Sequence, residues 1–274
     1  MSREIDIFKI AEGLRPVKTP WAELHFSDPW FREHAYEYER EIWNHVTCPK
    51  GGVAVDVGAH QGFYTTKLAK EAGEAGLILA FEPDAMNYEI LLVNLELNDS
   101  KKNVVTYQKA LSDHLGEGVL YTYNGRTPKN SGKHFVRGSN QYEPFYAEYV
   151  KNEKPICAPQ WETKVSVTFL DHPDFQEMLL PRGRCDLIKI DTEGAELRVL
   201  KGAQKTLGRF NPKVVLEVHY NMLDELNTFL NSLGYVLLDS GKLTGSDNPY
   251  PVFEKCKYEG TLADEGDHTK AKGS

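Results

Sequence analysis

Val53-Ala54-Val55-Asp56-Val57-Gly58-Ala59-His60-Gln61-Gly62-Phe63-Tyr64 is the stretch that decides the fold. Three β-branched valines run through a short apolar segment that stops at a glycine, the pattern of a buried parallel strand. A turn over Gly58 to Gly62 and a helix over Thr65 to Ala72 follow. Glycines let the backbone pass close to a ligand with no Cβ in the way. A helix start offers N–H groups that lack intrahelical partners. Asp56 ends the strand as a carboxylate, which is costly to bury unless something pairs with it. Strand, glycine turn and helix together make a cofactor site at the carboxyl edge of an α/β sheet.

The spacing narrows the cofactor. A dinucleotide fingerprint needs G-x-G-x-x-G. Only Gly58 and Gly62 are glycine here, and His60 stands at the middle position, which weakens a nicotinamide or flavin reading. The pattern D-x-G-x-x-x-G looks like the first motif of S-adenosylmethionine (SAM) methyltransferases. A glycine turn packed for structure alone explains this one stretch equally well.

The chain of 274 residues fits one large domain, or a domain with a sizeable insertion, and 41% hydrophobic residues can bury a core. A net charge of -8 argues against a generic nucleic-acid surface, which needs clustered Lys and Arg. No apolar run is long enough to span a bilayer, and the acidic start lacks the apolar centre of a signal peptide. Cys48, Cys157, Cys185 and Cys256 form no C-x-x-C and read as free thiols of a cytoplasmic protein.

Outward from the turn, residues 1–50 are expected to form a helical cover, with a helix over Trp30 to Val46. Residues 51–256 are expected to carry the main domain, and residues 257–274 read as a disordered polar tail. Leu77 to Glu82 is the second strand and ends in Glu82-Pro83-Asp84, because Pro83 has no N–H to give. Asn87 to Asn98 reads as a helix with Asn98 as a left-handed cap, and Val104 to Tyr107 as a strand. Ala110 and Leu111 lie just past that strand's end. The segment from about 124 to 162 breaks the rhythm with an aromatic-rich insertion read as a substrate lid. Val165 to Leu170, Asp186 to Asp191, Val214 to His219 and Tyr235 to Leu238 read as further strands, with Pro251 to Phe253 as a last edge strand. The alternation of strands and helices indicates a doubly wound α/β sheet.

Asp56, Glu82, Asp191 and Glu217-Val218-His219 end successive strands, which a parallel sheet gathers at one edge. Together with Val55 to Gly62, Phe81-Glu82-Pro83, Ala110 to Asp113 and Leu216 to His219, the block Ile188-Lys189-Ile190-Asp191-Thr192-Glu193-Gly194-Ala195-Glu196 resembles the FkbM-type SAM-dependent methyltransferases. The resemblance runs from about Val53 to Leu238. It implies a mostly parallel, seven-stranded Rossmann-like sheet with helices on both faces and an antiparallel edge strand. It also implies methyl transfer from SAM, commonly to a hydroxyl of a sugar or natural product.

Carried over by position, Gly58 and Gly62 would lie along the methionine part of SAM. Glu82 would hold the ribose, and Ala110 and Leu111 would flank the adenine. Asp56, Ala59, His60, Phe63, Tyr64, Pro83 and Asn87 complete the expected cofactor set. Asp191 would sit beside the sulfonium. Asp191, His219 and Glu193 form the expected catalytic group, with His219 or Asp191 as base. Glu193 and Glu196 can instead cap the following helix, the preferred reading for Glu196. No obligatory metal is expected, although Asp191, Glu217 and His219 are ligand types. The expected partner is a small-molecule or glycan acceptor, without nucleic acid or a membrane span. A non-catalytic binding module with this fold is the rival class, and the intact Asp56, Gly58, Gly62 and Glu82 count against it.

Overall fold

The computed structural model describes residues 6–27, 39–122, 134–137, 161–218, 222–241 and 249–256. Helix α1 (Ile7–Glu12) leads into a hairpin of β1 (Arg15–Lys18) and β2 (Glu23–Phe26). Leu24 and Phe26 of β2 are fully buried against Phe63, Tyr64 and Leu68. The ring of Trp21 meets those of Trp43 and Phe63 edge-on, at 5.0 and 4.8 Å. The expected helical cover is therefore corrected: the described N-terminal residues form a short helix and a hairpin. Arg40–Ile42 is a single 3-10 turn where the continuation of a long helix was expected. The rest of that expected helix, residues 30–38, lies outside the described residues.

The central sheet is built from β3 (Val53–Val57), β4 (Leu77–Phe81), β5 (Val104–Tyr107) and the later strands β10 (Leu187–Ile190) and β11 (Lys213–Leu216). These five run parallel, in the order β11-β10-β3-β4-β5. Beyond β11 come β13 (Val252–Lys255) and then β12 (Tyr235–Asp239), making seven strands. Strand β13 is antiparallel to both of its neighbours. The antiparallel strand thus lies one place in from the edge, and β12 holds the edge itself. The chain returns after β12 and inserts β13 between β12 and β11, a pairing that local pattern does not reveal.

Alternation along β3 explains the two faces. Val53, Val55 and Val57 join Phe81, Ile188, Leu200 and Leu226 in one core, while Ala54 joins Phe63, Leu68 and Leu187 in the other. Each of these valines is buried, which stabilises by about 1.5–3 kcal/mol apiece relative to exposure. Helix α2 (Phe63–Ala72) covers the second face, starting earlier than expected because Gly62 at φ 89 turns the chain directly into it. Helix α3 (Ala85–Leu97) begins where the Asp84 carboxylate accepts from Asn87 N–H at 2.9 Å. It stops at Asn98, whose φ of -111 is not left-handed; Asp99, at φ 52, takes that role.

A second, four-stranded sheet was not expected. Its order is β6 (Ala110–Leu111), β9 (Trp161–Thr168), β7 (Gly116–Thr122), β8 (His134–Arg137). Ala110 and Leu111 are therefore a strand of their own, and the alternating segment near Val165 pairs with β7 and β6, not with the central sheet. Of the expected lid, His134–Arg137 and the start of β9 are strand, and the rest lies outside the described residues, as do 257–274. Helices α4 (Pro173–Leu179), α5 (Glu196–Lys201), α6 (Gln204–Phe210) and α7 (Leu223–Ser232) pack Phe175, Leu197, Leu207 and Leu230 on the first core. Among the described residues no helix is long and apolar enough to cross a membrane. Cys48, Cys185 and Cys256 are free thiols, and Cys157 lies outside the described residues.

Candidate active site

The site sits where β3 and β10 diverge to their neighbours, the switch point at which ligands bind in open α/β sheets. The turn after β3 is tied to the end of β4. Gly58 and Ala59 N–H both donate to the Phe81 carbonyl at 3.0 Å, and His60 N–H donates to Glu82 Oε2 at 2.8 Å. His60 has φ 50. The backbone is therefore left-handed where a dinucleotide fingerprint has its middle glycine, and a histidine bears the strain.

Polar side chains that the sequence reading did not single out hold the turn from the other side. Asn94 on α3 donates to the Gln61 carbonyl at 2.6 Å and to the His25 carbonyl at 2.9 Å. Gln61 donates to Asn87 Oδ1 at 2.9 Å and to Ser27 Oγ at 2.8 Å. The hairpin, the turn and α3 thus share one buried network. Asn87, expected in the cofactor set, is 2% exposed and spends its carbonyl here.

Both glycines are required by protein, not only by ligand. A Cβ on Gly58 would lie 1.8 Å from the Asp191 carbonyl oxygen, and one on Gly62 would lie 2.7 Å from Leu91 Cδ1. Asp56 is fully buried and accepts from Thr65 Oγ1 at 2.6 Å. Burial pushes its carboxyl up, while Lys189 and the Thr65 hydroxyl pull it back. It supports the turn from beneath. Phe63 and Tyr64 are likewise core residues: Phe63 packs on Trp21, and Tyr64 donates to Glu39 Oε2 at 2.8 Å. Tyr250 donates to the other oxygen of Glu39 at 2.6 Å. Ala110 and Leu111 are also buried in apolar clusters.

Glu82 ends β4 only 5% exposed and accepts from His60 N–H and from Asp84 N–H, the latter at 2.9 Å. Burial pushes its carboxyl up to about 8, against the pull of those two N–H groups. Pro83 separates Glu82 from Asp84, the second of these donors.

Asp191 is half-buried at the end of β10, and its N–H donates to the Val57 carbonyl at 3.0 Å. Beneath it Lys189 Nζ lies 3.2 Å from Asp191 Oδ2 and 3.7 Å from Asp56 Oδ1. Lys189 was visible in the sequence as a charge inside an apolar strand. The next loop is left-handed at Glu193 and Gly194. Glu196 Oε1 closes it by accepting from Gly194 N–H at 2.9 Å and from Thr192 Oγ1 at 3.1 Å; the expected capping role is corrected, because the N-cap of α5 is Ala195, no side chain caps the helix, and Glu196 is the acidic residue of its first turn. Oxygens of Asp191, Glu193 and Glu217 lie within 4.8 Å of one another. Three carboxylates so close suit a positively charged guest; a metal is one such guest and a sulfonium another. His219 lies outside the described residues.

Comparison with known proteins decides among the remaining readings. The model of the methyltransferase FkbM domain matches residues 56–237. The chain belongs to this family. It is a methyltransferase, and the nicotinamide oxidoreductase reading is set aside. The chain is 31% identical over 197 residues to methyltransferase sdnD of Sordaria araneosa, covering 68% of this chain and 71% of that protein. It is 28% identical over 192 residues to methyltransferase 1 of Beauveria bassiana, covering 69% and 74%. A crystal structure of methyltransferase FkbM from Methylobacillus flagellatus matches at 16% identity with a TM-score of 0.49, over 90% of this chain and 57% of that one.

Proposed function

We propose that the protein transfers a methyl group from SAM to a hydroxyl of a sugar or natural-product acceptor. Glu82 carries the cofactor reading. It is a buried carboxylate at the end of β4, beside the glycine turn and already held by two N–H groups. A strand-end carboxylate in that place suits the two hydroxyls of a ribose. The acidic group of Asp191, Glu193 and Glu217 suits a neighbouring positive charge. SAM, when bound, supplies a methyl group activated for direct displacement.

The protein's own part is positioning and the handling of the acceptor's proton. Asp191 orients the hydroxyl and receives its proton, or His219 receives it. Glu193 borders the same mouth. The proposal includes no obligatory metal, no nucleic-acid substrate and a cytoplasmic location, in keeping with the net charge of -8 and the buried thiols of Cys48 and Cys185.

SAM at about a hundred times its Kd is expected to stabilise the protein by about 2.7 kcal/mol in a thermal melt, with NAD giving no shift. Glu82→Ala should fold and lose most of that gain. An equal gain in variant and wild type would count against Glu82.

The raised Glu82 carboxyl adds a pH signature. Because the fold lifts it from 4.5 to about 8, its contribution to stability is complete below about pH 4.5 and is lost as the pH rises through 8. At pH 7 most Glu82 carboxyls are protonated before cofactor arrives. The charged form is the better acceptor for two hydroxyl protons, so SAM affinity should weaken below about pH 8 and binding at pH 7 should release a proton. Titration calorimetry at pH 7 in two buffers of different ionisation enthalpy reads that proton. Identical heats in both buffers contradict the assignment, and Glu82→Gln should give identical heats.

A further inference from the structure

Strand β10 reads Leu187-Ile188-Lys189-Ile190, and Lys189 is 4% exposed on the same face as Leu187. An aliphatic side chain would fill that volume without taking a charge out of water. A buried ammonium persists only when nearby anions and acceptors offset its desolvation. Here they come from separate parts of the site: Asp191 Oδ2 at 3.2 Å, the Gly58 carbonyl at 3.4 Å and Asp56 Oδ1 at 3.7 Å. The Tyr64 ring of α2 supplies a face, its centroid 5.2 Å away. Burial alone would push the ammonium down. The carboxylates of Asp191, Asp56 and Glu39 together hold it above the ordinary lysine value, so it stays charged.

The backbone around it has no slack. Gly58 packs so closely on the Asp191 carbonyl that no Cβ fits, and Asp191 N–H is bonded to Val57. Lys189 lies under this junction and bonds the Asp191 side chain and the Gly58 carbonyl together.

We propose that Lys189 is a positioning residue for the cofactor: its ammonium locks the Asp191 carboxylate to the Gly58 end of the turn, where Asp191 faces the sulfonium of SAM. This rests on the SAM reading above. Lys189 acts through Asp191 and does not itself reach the acceptor. Its charge is retained to fix one carboxylate against one turn, a part no apolar side chain can play.

Titration calorimetry with SAM and with its neutral product S-adenosylhomocysteine tests this without an acceptor. Only SAM carries the sulfonium charge. Asp191→Asn is expected to weaken SAM about tenfold and the product little, since it removes one neighbouring charge. Lys189→Met should cause a similar selective loss. The double variant Lys189→Met/Asp191→Asn should bind SAM no worse than Asp191→Asn alone, because both changes break one linkage. Where Lys189→Met fails to fold because Asp56 is stranded, Asp56→Asn/Lys189→Met against Asp56→Asn makes the same comparison. A folded Lys189 variant with the wild-type preference for SAM, equal weakening of both ligands, or full additivity with Asp191→Asn overturns the proposal. Wild-type protein that binds neither ligand overturns the SAM reading, and this one with it. Wild type that binds both, with unaltered Lys189 variants, overturns this one alone.

Discussion

Asp191→Asn is expected to lower methyl transfer by about a hundredfold or more while SAM still binds. The size follows from what the substitution removes. Asparagine keeps the shape of the side chain, and the backbone bond from position 191 to Val57 persists, but the charged link to Lys189 is lost. It removes the negative charge and the capacity to take a proton. An alcohol is a poor nucleophile while protonated, so a carboxylate at the mouth matters most as the new bond forms. Asp191 is placed for this, half-buried at the end of a central strand and 19% exposed in its side chain. Transfer of labelled methyl from SAM to a panel of hydroxylated sugars and natural products measures the effect, alongside SAM affinity. Undiminished transfer would remove Asp191 from the mechanism. A hundredfold loss in His219→Ala, with Asp191→Asn near wild type, would move the proton to His219.

The sequence carried the centre of this site more clearly than its surroundings, for physical reasons. The run from Val53 to Val57 is apolar except at Asp56 and is covered on both faces, and such a run needs no partner to be read. The acidic strand ends were visible because charge stands out at the edge of an apolar segment. What stayed hidden depends on pairing between distant residues. Strand β13 inserts beside β11, and β9 finds β7 across a long insertion; neither choice is written in local periodicity. The hairpin before Phe26 was hidden because its strands are short and one contains Pro16. Lys189 illustrates the limit for the site itself. Its charge inside an apolar strand was legible, but its partner at Gly58 is 131 residues away. The aromatic pair Phe63-Tyr64 was read toward the cofactor because it follows the turn, yet α2 directs both into the core. Proximity in sequence to a ligand loop does not fix the direction of a side chain.

Gly58→Ala should be strongly damaging, because among the described glycines Gly58 leaves the least room for an added methyl group. The added Cβ would lie 1.8 Å from the Asp191 carbonyl oxygen and 2.9 Å from its carbonyl carbon. Both atoms are backbone of the residue just after β10, so no side-chain rotation relieves the clash. The φ of 75 adds strain of about 1–3 kcal/mol for a non-glycine residue. The central strands must part or the turn must rebuild, and we expect a loss above about 3 kcal/mol together with loss of SAM stabilisation. Two other glycines separate the causes. Gly183 also has positive φ, at 64, but a Cβ there meets nothing within 4 Å, so Gly183→Ala should cost only the strain. Gly208 lies within helix α6 with equally open space, so Gly208→Ala should be neutral or stabilising by up to about 1 kcal/mol. Denaturant melts of the three variants give the order directly. If Gly58→Ala proves no worse than Gly183→Ala, the turn and β10 are not in the contact described, and Lys189 would have no fixed junction to hold.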